Sequence, residues 1–148
     1  MGSPKMLVVE DNDDDVCFIR RAMVRSNIAA ELVVTTNGEE ALDYLGGIAS
    51  HAVRDTSEWP HLILLDLKLP KVDGLKVLQR IRADSRMRHI PVVIFTSTRE
   101  PGDLGSAFKY GANSYIRKPN EIEKLTRAVQ LLASYWLFLN EPAQQAKD

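Results

Sequence analysis

The sequence predicts an α/β sandwich built on a doubly wound, five-stranded parallel sheet. Two observations carry this prediction. Leu62-Ile-Leu-Leu65 and Met6-Leu-Val-Val9 are unbroken aliphatic runs, and each ends in acid, at Asp66 and at Glu10-Asp11. Runs that never alternate with polar residues read as strands buried on both faces, as in parallel sheets. Between such runs apolar residues recur at helical spacing, so strands and helices alternate along the chain.

Met1-Gly-Ser-Pro4 reads as an expression remnant and stands outside the fold argument. After the first strand, Glu10-Asp-Asn-Asp-Asp-Asp15 forms a strand-to-helix loop. Val16, Ile19, Ala22 and Met23 carry the helix, and the last aspartates are expected to cap it and complement its positive end. Cys17 in this helix reads as a small core residue. Leu32-Val-Val34 is a short second strand, and Asn37-Gly-Glu-Glu opens a helix through Ala41, Leu42 and Leu45 that Gly46-Gly47 is expected to stop. Residues 48–60 have no clean period and form an insertion, in which an exposed His51 and a Trp59 folded onto the surface are expected. Beyond Asp66, Leu69-Pro70 forces the chain out of the sheet and Asp73-Gly74 caps a helix carried by Leu75, Leu78 and Ile81. Pro91-Val-Val-Ile-Phe95 is the fourth strand, ending at Thr96. A short helix through Leu104, Phe108 and Tyr110 closes at Gly111, and Ser114-Tyr-Ile-Arg117 is the fifth strand, ended by Lys118-Pro119. A long helix over about 121–139 precedes a polar tail, 140–148, expected to fray.

At 148 residues with 45% hydrophobic content the chain is one domain with a full core. A net charge of −1 favours neither nucleic acid nor an anionic membrane. One cysteine excludes an internal disulfide framework and suits a reducing compartment. No run is long enough to span a bilayer and no signal peptide is visible, so a cytoplasmic protein is expected.

With strand order 2-1-3-4-5, the flavodoxin-like arrangement, strands one and three flank the switch point where ligands bind. Glu10, Asp11 and Asp66 then share one crevice with Thr96 and Lys118 from the next two strand ends. Three carboxylates so placed repel one another. A hard divalent cation relieves them, and Mg2+ suits a site of few protein oxygens and several waters. With a lysine and a hydroxyl added, the set fits phosphoryl transfer to a carboxylate.

These residues carry a family resemblance. Glu10-Asp11, Leu-Leu-Asp66-Leu-Lys-Leu-Pro with Asp73-Gly74, Thr96, and Tyr115-Ile-Arg-Lys118-Pro119 resemble, in order and register, the receiver domain of two-component response regulators over about residues 5–139. The resemblance implies that Asp66 accepts a phosphoryl group from a histidine kinase. It implies Mg2+ held by Asp11, Asp66 and the backbone carbonyl of Lys68, with Glu10 acting through metal-bound water. Thr96 and Lys118 would hold the phosphoryl oxygens, and Tyr115 would be the switch aromatic that turns inward with Thr96. The Lys118–Pro119 bond is expected to be cis, as in the family. The insertion, the acidic first loop and Tyr135-Trp136-Leu137 are similar to a narrower group, the stand-alone receivers that partner bacterial and cyanobacterial phytochrome kinases.

Competing readings fit less well. A calcium loop beginning at Asp11 needs Gly and Glu where Val16 and Ala22 stand. A haloacid-dehalogenase-type phosphatase needs a second Asp where Lys68 stands. A flavin phosphate loop would not be acidic, and no P-loop or dinucleotide glycine pattern occurs. A receiver-shaped module that binds partners without phosphorylation need not keep Asp66, Thr96 and Lys118 together. The protein is therefore expected to be a signalling phosphoacceptor, catalysing only its own phosphorylation and dephosphorylation. The residues after the receiver are too few for an output domain, so output through protein contacts is expected. Lys68 and Thr98, two beyond Asp66 and Thr96, are expected at the rim, with Lys68 guarding the phosphoryl group. On the last helix, Ile122, Leu125, Val129, Leu132, Trp136 and Leu139 should face the sheet. Leu131, Tyr135 and Phe138 form a second apolar stripe, and a homodimer through it is expected.

Overall fold

Aliphatic runs become the strands of one sheet. A computed structural model describes residues 3–51 and 59–143. Expectations for the first two residues, for the His51 side chain, for 52–58 and for 144–148 lie outside what is described. The elements are β1 (Lys5–Val9), α1 (Asp13–Arg25), β2 (Glu31–Thr35), α2 (Gly38–His51), β3 (Leu62–Leu65), α3 (Gly74–Ala83), β4 (Val92–Thr96), α4 (Asp103–Lys109), β5 (Ser114–Arg117) and α5 (Ile122–Ser134). The strands pair in parallel in the order β2-β1-β3-β4-β5. β1, β3 and β4 lie inside the sheet, where both faces are covered, which is why their sequences do not alternate. Two clusters of buried side chains form the core. Leu7, Val9, Ile63, Leu65, Val92 and Ile94 pack toward α2 and α3, while Met6, Val8, Leu62, Leu64, Val93 and Phe95 pack toward α1 and α5.

Pairing sets where the carboxylates emerge. Val9 is opposite Leu65, so the residues that follow, Glu10 and Asp66, leave the sheet side by side. Asp66 N–H still donates to the Val9 carbonyl at 3.1 Å, and Lys118 N–H to the Thr96 carbonyl at 2.8 Å.

Capping follows the short polar residues at the helix starts. Asn12 Oδ1 accepts from Asp15 N–H at 3.0 Å, and Asp73 Oδ1 from Lys76 N–H at 3.1 Å. Asn12, not an aspartate, is the cap of α1; Asp13, Asp14 and Asp15 complement the dipole from its first turn. Gly74 is required by close approach, since a Cβ there would stand 2.2 Å from the Asp66 carbonyl oxygen. Gly74→Ala should therefore destabilise the fold by about 1–3 kcal/mol by pushing the loop off the β3 tip; an unchanged midpoint in urea would contradict this.

The structure corrects several expectations. Gly46-Gly47 does not stop α2, which continues to His51. Burial of Leu45, Ile48 and Ala49 outweighs the ~1 kcal/mol helix penalty of each glycine. Cys17 is exposed, because it shares a helical phase with Arg21 and Val24 while Ile19, Ala22 and Met23 face inward. Trp59 is buried, edge-on to His89 with ring centroids 6.0 Å apart, and not folded onto the surface. The Lys118–Pro119 bond is trans, as are the other described peptide bonds. The two isomers of such a bond differ by only ~0.5–1 kcal/mol, so local sequence does not choose between them. Finally, α5 passes into a wide π-turn over Tyr135–Leu139, closed by Asn140 N–H on the Tyr135 carbonyl at 2.7 Å. The wider turn shifts the helical phase. Leu125, Val129 and Leu132 are buried as expected, but beyond the turn Leu137 points inward, Trp136 is only half-buried and Leu139 is exposed; Ile122, at the first position of α5, is exposed at the helix start. No helix among the described residues is long and apolar enough to cross a membrane.

Candidate functional site: an acidic crevice at the strand tips

Lys118 is the centre of the crevice at the carboxyl ends of β1, β3 and β5. Its Nζ donates to Glu10 Oε1, to Asp15 Oδ2 at 2.8 Å and to Asp66 Oδ2 at 3.1 Å. Thr96 Oγ1 donates to the other Asp66 oxygen, Oδ1, at 2.6 Å. Glu10, Asp66, Thr96 and Lys118 are all buried, while Asp11 is exposed at the mouth. Burying an ammonium is tolerable only with such partners. Burial alone would lower the Lys118 pKa, but hydrogen bonds to Asp15 and Glu10 and the charge of Asp66 outweigh it and hold the ammonium well above its ordinary value. Glu10 moves the other way. Burial first, then the adjacent Asp66 charge, raise its pKa to about 7, against the opposing pull of Lys118.

Glu10, Asp11 and Asp66 each offer an oxygen, and these oxygens lie within 4.8 Å of one another. The donor set is all oxygen, and Lys118 Nζ pairs with Glu10, Asp15 and Asp66 while Asp11 adds a further carboxylate at the mouth, so among the described residues acids outnumber the cation in the crevice. Both features fit a hard divalent cation such as Mg2+.

The expected residues arrive together, with two refinements. Lys68 N–H donates to Asp66 Oδ1 at 3.3 Å, placing its backbone at the crevice, but its ammonium turns away to Glu100 at 2.9 Å and Asp103 at 3.5 Å. The Glu100 hydrogen bond is the main force raising the Lys68 pKa. Thr98 Oγ1 donates to Asp103 Oδ2 at 2.9 Å. Tyr115 is half-buried on β5, its ring 6.5 Å from that of Phe108 on α4. Asp15 was missed as a site residue. It reads as a helix-dipole residue in the first turn of α1, yet its Oδ2 accepts from Lys118 Nζ at 2.8 Å, which places it on the crevice side of the helix. A cavity of about 260 Å³ beside the crevice is lined by Asp15, Phe18, Ser97, Lys118, Pro119 and Ile122, among others.

A parallel sheet in this order with an acid pair, an acceptor-like aspartate, a threonine and a lysine at its tips defines a class. The chain belongs to the response regulator receiver domain family, whose model matches residues 6–130. Among curated relatives it is 40% identical, over 91% of this chain and 84% of the relative, to the probable methanogenesis regulatory protein FilR2 of Methanothrix harundinacea. It is 33% identical to the response regulator Rcp1 of Synechocystis, over 90% of each. The structure of Mn(2+)-bound Rcp1 superposes with a TM-score of 0.82, covering 95% of this chain and 99% of that one. The phosphorylated cyanobacterial phytochrome response regulator RcpA superposes with a TM-score of 0.85 at 32% identity, over 97% of this chain and all of that one. The protein is thus a receiver that resembles phytochrome response regulators.

Proposed function

We propose that this protein accepts a phosphoryl group on Asp66 from a histidine kinase, with Mg2+ as cofactor, and signals through protein contacts. The observation that carries the reading is the Asp66 carboxylate itself, which is buried, takes Thr96 on one oxygen and Lys118 on the other, and shares its crevice with Glu10, Asp11 and Asp15. A bound divalent cation, held by Asp11, Asp66 and the Lys68 carbonyl with Glu10 acting through water, would neutralise charge on the incoming phosphoryl oxygens. An Asp66 oxygen attacks phosphorus; the new O–P bond forms as the P–N bond of the phosphohistidine breaks, and the imidazole departs. Lys118 and Thr96 are placed to hold the phosphoryl oxygens, exchanging their present hydrogen bonds to Asp66 for bonds to the new group. Tyr115, on the strand after Thr96, is the aromatic that would follow the threonine inward.

The kinship with RcpA and Rcp1 supports a phytochrome-linked kinase as donor. Timed phosphotransfer from a panel of purified histidine kinases tests this. Transfer from phytochrome-linked kinases should reach completion first; equal or slower transfer than from unrelated kinases would remove the link.

A homodimer through the last helix belongs to the same reading. Its support is the outward exposure of Leu131, Tyr135 and Phe138, at 55%, 45% and 56%. Contiguous apolar exposure of this kind marks interfaces, and a two-fold pairing is the simplest closed solution. Sedimentation should show a dimer for the wild type and a monomer for Leu131→Glu/Phe138→Glu. If both sediment as monomers at high concentration, the interface is wrong.

A further inference from the structure

A closed ring of polar contacts runs from the acceptor aspartate to the start of α4 and back. Thr96 Oγ1 donates to Asp66 Oδ1 at 2.6 Å, and Thr98 N–H donates to Thr96 Oγ1 at 3.4 Å. Thr98 Oγ1 in turn donates to Asp103 Oδ2 at 2.9 Å and accepts from Glu100 N–H at 3.3 Å. Lys68 closes the ring. Its ammonium binds Glu100 Oε2 at 2.9 Å and reaches Asp103 Oδ2 at 3.5 Å, while its own backbone N–H donates to Asp66 Oδ1 at 3.3 Å. One residue of the loop between β3 and α3 therefore touches the acceptor with its backbone and ties down the loop between β4 and α4 with its side chain.

The two halves of this tie differ in strength. Asp103 is buried at the first position of α4, and its carboxylate needs the Thr98 hydroxyl and the Lys68 ammonium beside it. The Lys68 side chain is 52% exposed and Glu100 is 66% exposed, so their ion pair is screened and easily exchanged. A phosphoryl group on Asp66 would replace one negative charge with about two, beside the Lys68 backbone.

We propose that Lys68 is a charge-operated latch, holding the loop before α4 through Glu100 and Asp103 until negative charge accumulates on Asp66 and draws the ammonium away. The inference rests on the phosphoacceptor reading of Asp66 and adds the means by which that event reaches α4. Release leaves Asp103 without its cation and loosens residues 98–106, while the freed ammonium comes to lie over the phosphoryl group. The same residue would thereby both guard the modified aspartate and report on it.

Amide hydrogen exchange over residues 98–106 tests the latch, with Mg2+ and beryllofluoride standing in for the phosphoryl group and fluorine NMR scoring whether they bind at Asp66. In the wild type, adding beryllofluoride to the Mg2+-bound protein should speed exchange in this segment by about two- to fivefold, the scale set by a partly exposed ion-pair network. Lys68→Ala should exchange at the faster rate before any addition, and beryllofluoride should add nothing. Glu100→Gln should reproduce part of that effect from the other side of the pair, without altering any crevice residue. A bound-beryllofluoride signal with unchanged exchange in the wild type overturns the latch but leaves the phosphoacceptor reading standing. Equal exchange in free wild type and free Lys68→Ala overturns it as well. Absence of any bound signal, in the wild type as in Asp66→Asn, removes the phosphoacceptor reading and the latch together.

Discussion

Asp66→Asn should take up no phosphoryl group, while the wild type gains one phosphoryl mass that maps to Asp66 after incubation with Mg2+ and a small phosphodonor. The expected loss is complete within detection, because an amide is too weak a nucleophile to displace the leaving group. The fold should survive. Asn keeps the side-chain size, one carbonyl oxygen that can still accept from Thr96, and a place between β1 and β4 fixed by backbone pairing. Removing a negative charge from a crowd of acids also relieves repulsion. Chelating the divalent cation should stop the wild-type reaction too. Uptake by Asp66→Asn at the wild-type rate and on the same peptide would sink the mechanism.

Lys118→Ala should cost both chemistry and stability. By sequence alone, a lysine at a strand tip suggests a substitution the fold would barely notice. The structure says otherwise, because the ammonium is buried against Glu10, Asp15 and Asp66. Removing one partner of a buried ionic cluster typically costs ~3–5 kcal/mol, and the lower end applies here since Glu10 can take up a proton. The pH dependence has a definite sign. Glu10 has a folded pKa of about 7 against an ordinary 4.5, so between those values the folded state binds more protons than the unfolded one. Stability of the metal-free protein should therefore fall as pH rises through that window. Without Lys118, whose charge lowers the Glu10 pKa, the window should extend to higher pH. Added Mg2+ should return part of the lost stability, and phosphorylation should remain slow. Urea unfolding at pH 5.5 and pH 8, with and without Mg2+, reads all of this; a variant as stable as the wild type at pH 8 without metal would show that the lysine does not hold the acids together.

These two residues also mark how far the sequence reaches. The proposed acceptor is legible because Asp66 ends a run of four aliphatics of the kind a doubly covered strand buries. Alternation and right-handed crossovers give a parallel sheet whose strands all end at one side, which brings Glu10, Asp11, Thr96 and Lys118 to the same end; the order itself comes from the flavodoxin-like arrangement, and the structure has it. Helix starts were equally legible wherever a short polar residue caps them, as Asn37 and Asp73 do. Such features depend on one segment and on chirality, and the sequence by itself determined them.

What only the tertiary structure decided depends on competition between segments. The two glycines in α2 are poor helix residues, yet packing of Ile48 and Ala49 against the core carries the helix past them. The π-turn at Tyr135–Leu139 re-phases the end of the last helix, so the inward residue there is Leu137 and not Leu139. Trp59 is buried because it joins the core cluster with Leu45, Ile48, Met87 and Ile90, drawn from both sides of it in the chain, while its ring makes a T-shaped pair with His89. In the crevice, the sequence presents Asp15 as one of three aspartates in a helix's first turn, and only the arrival of Lys118 from the far strand makes it a partner. Lys68 looks like a guard of Asp66, yet its ammonium is taken by Glu100 and Asp103 from the neighbouring loop. A side chain with four rotatable bonds goes to whichever charge the assembled fold places within reach, and no local pattern encodes that choice.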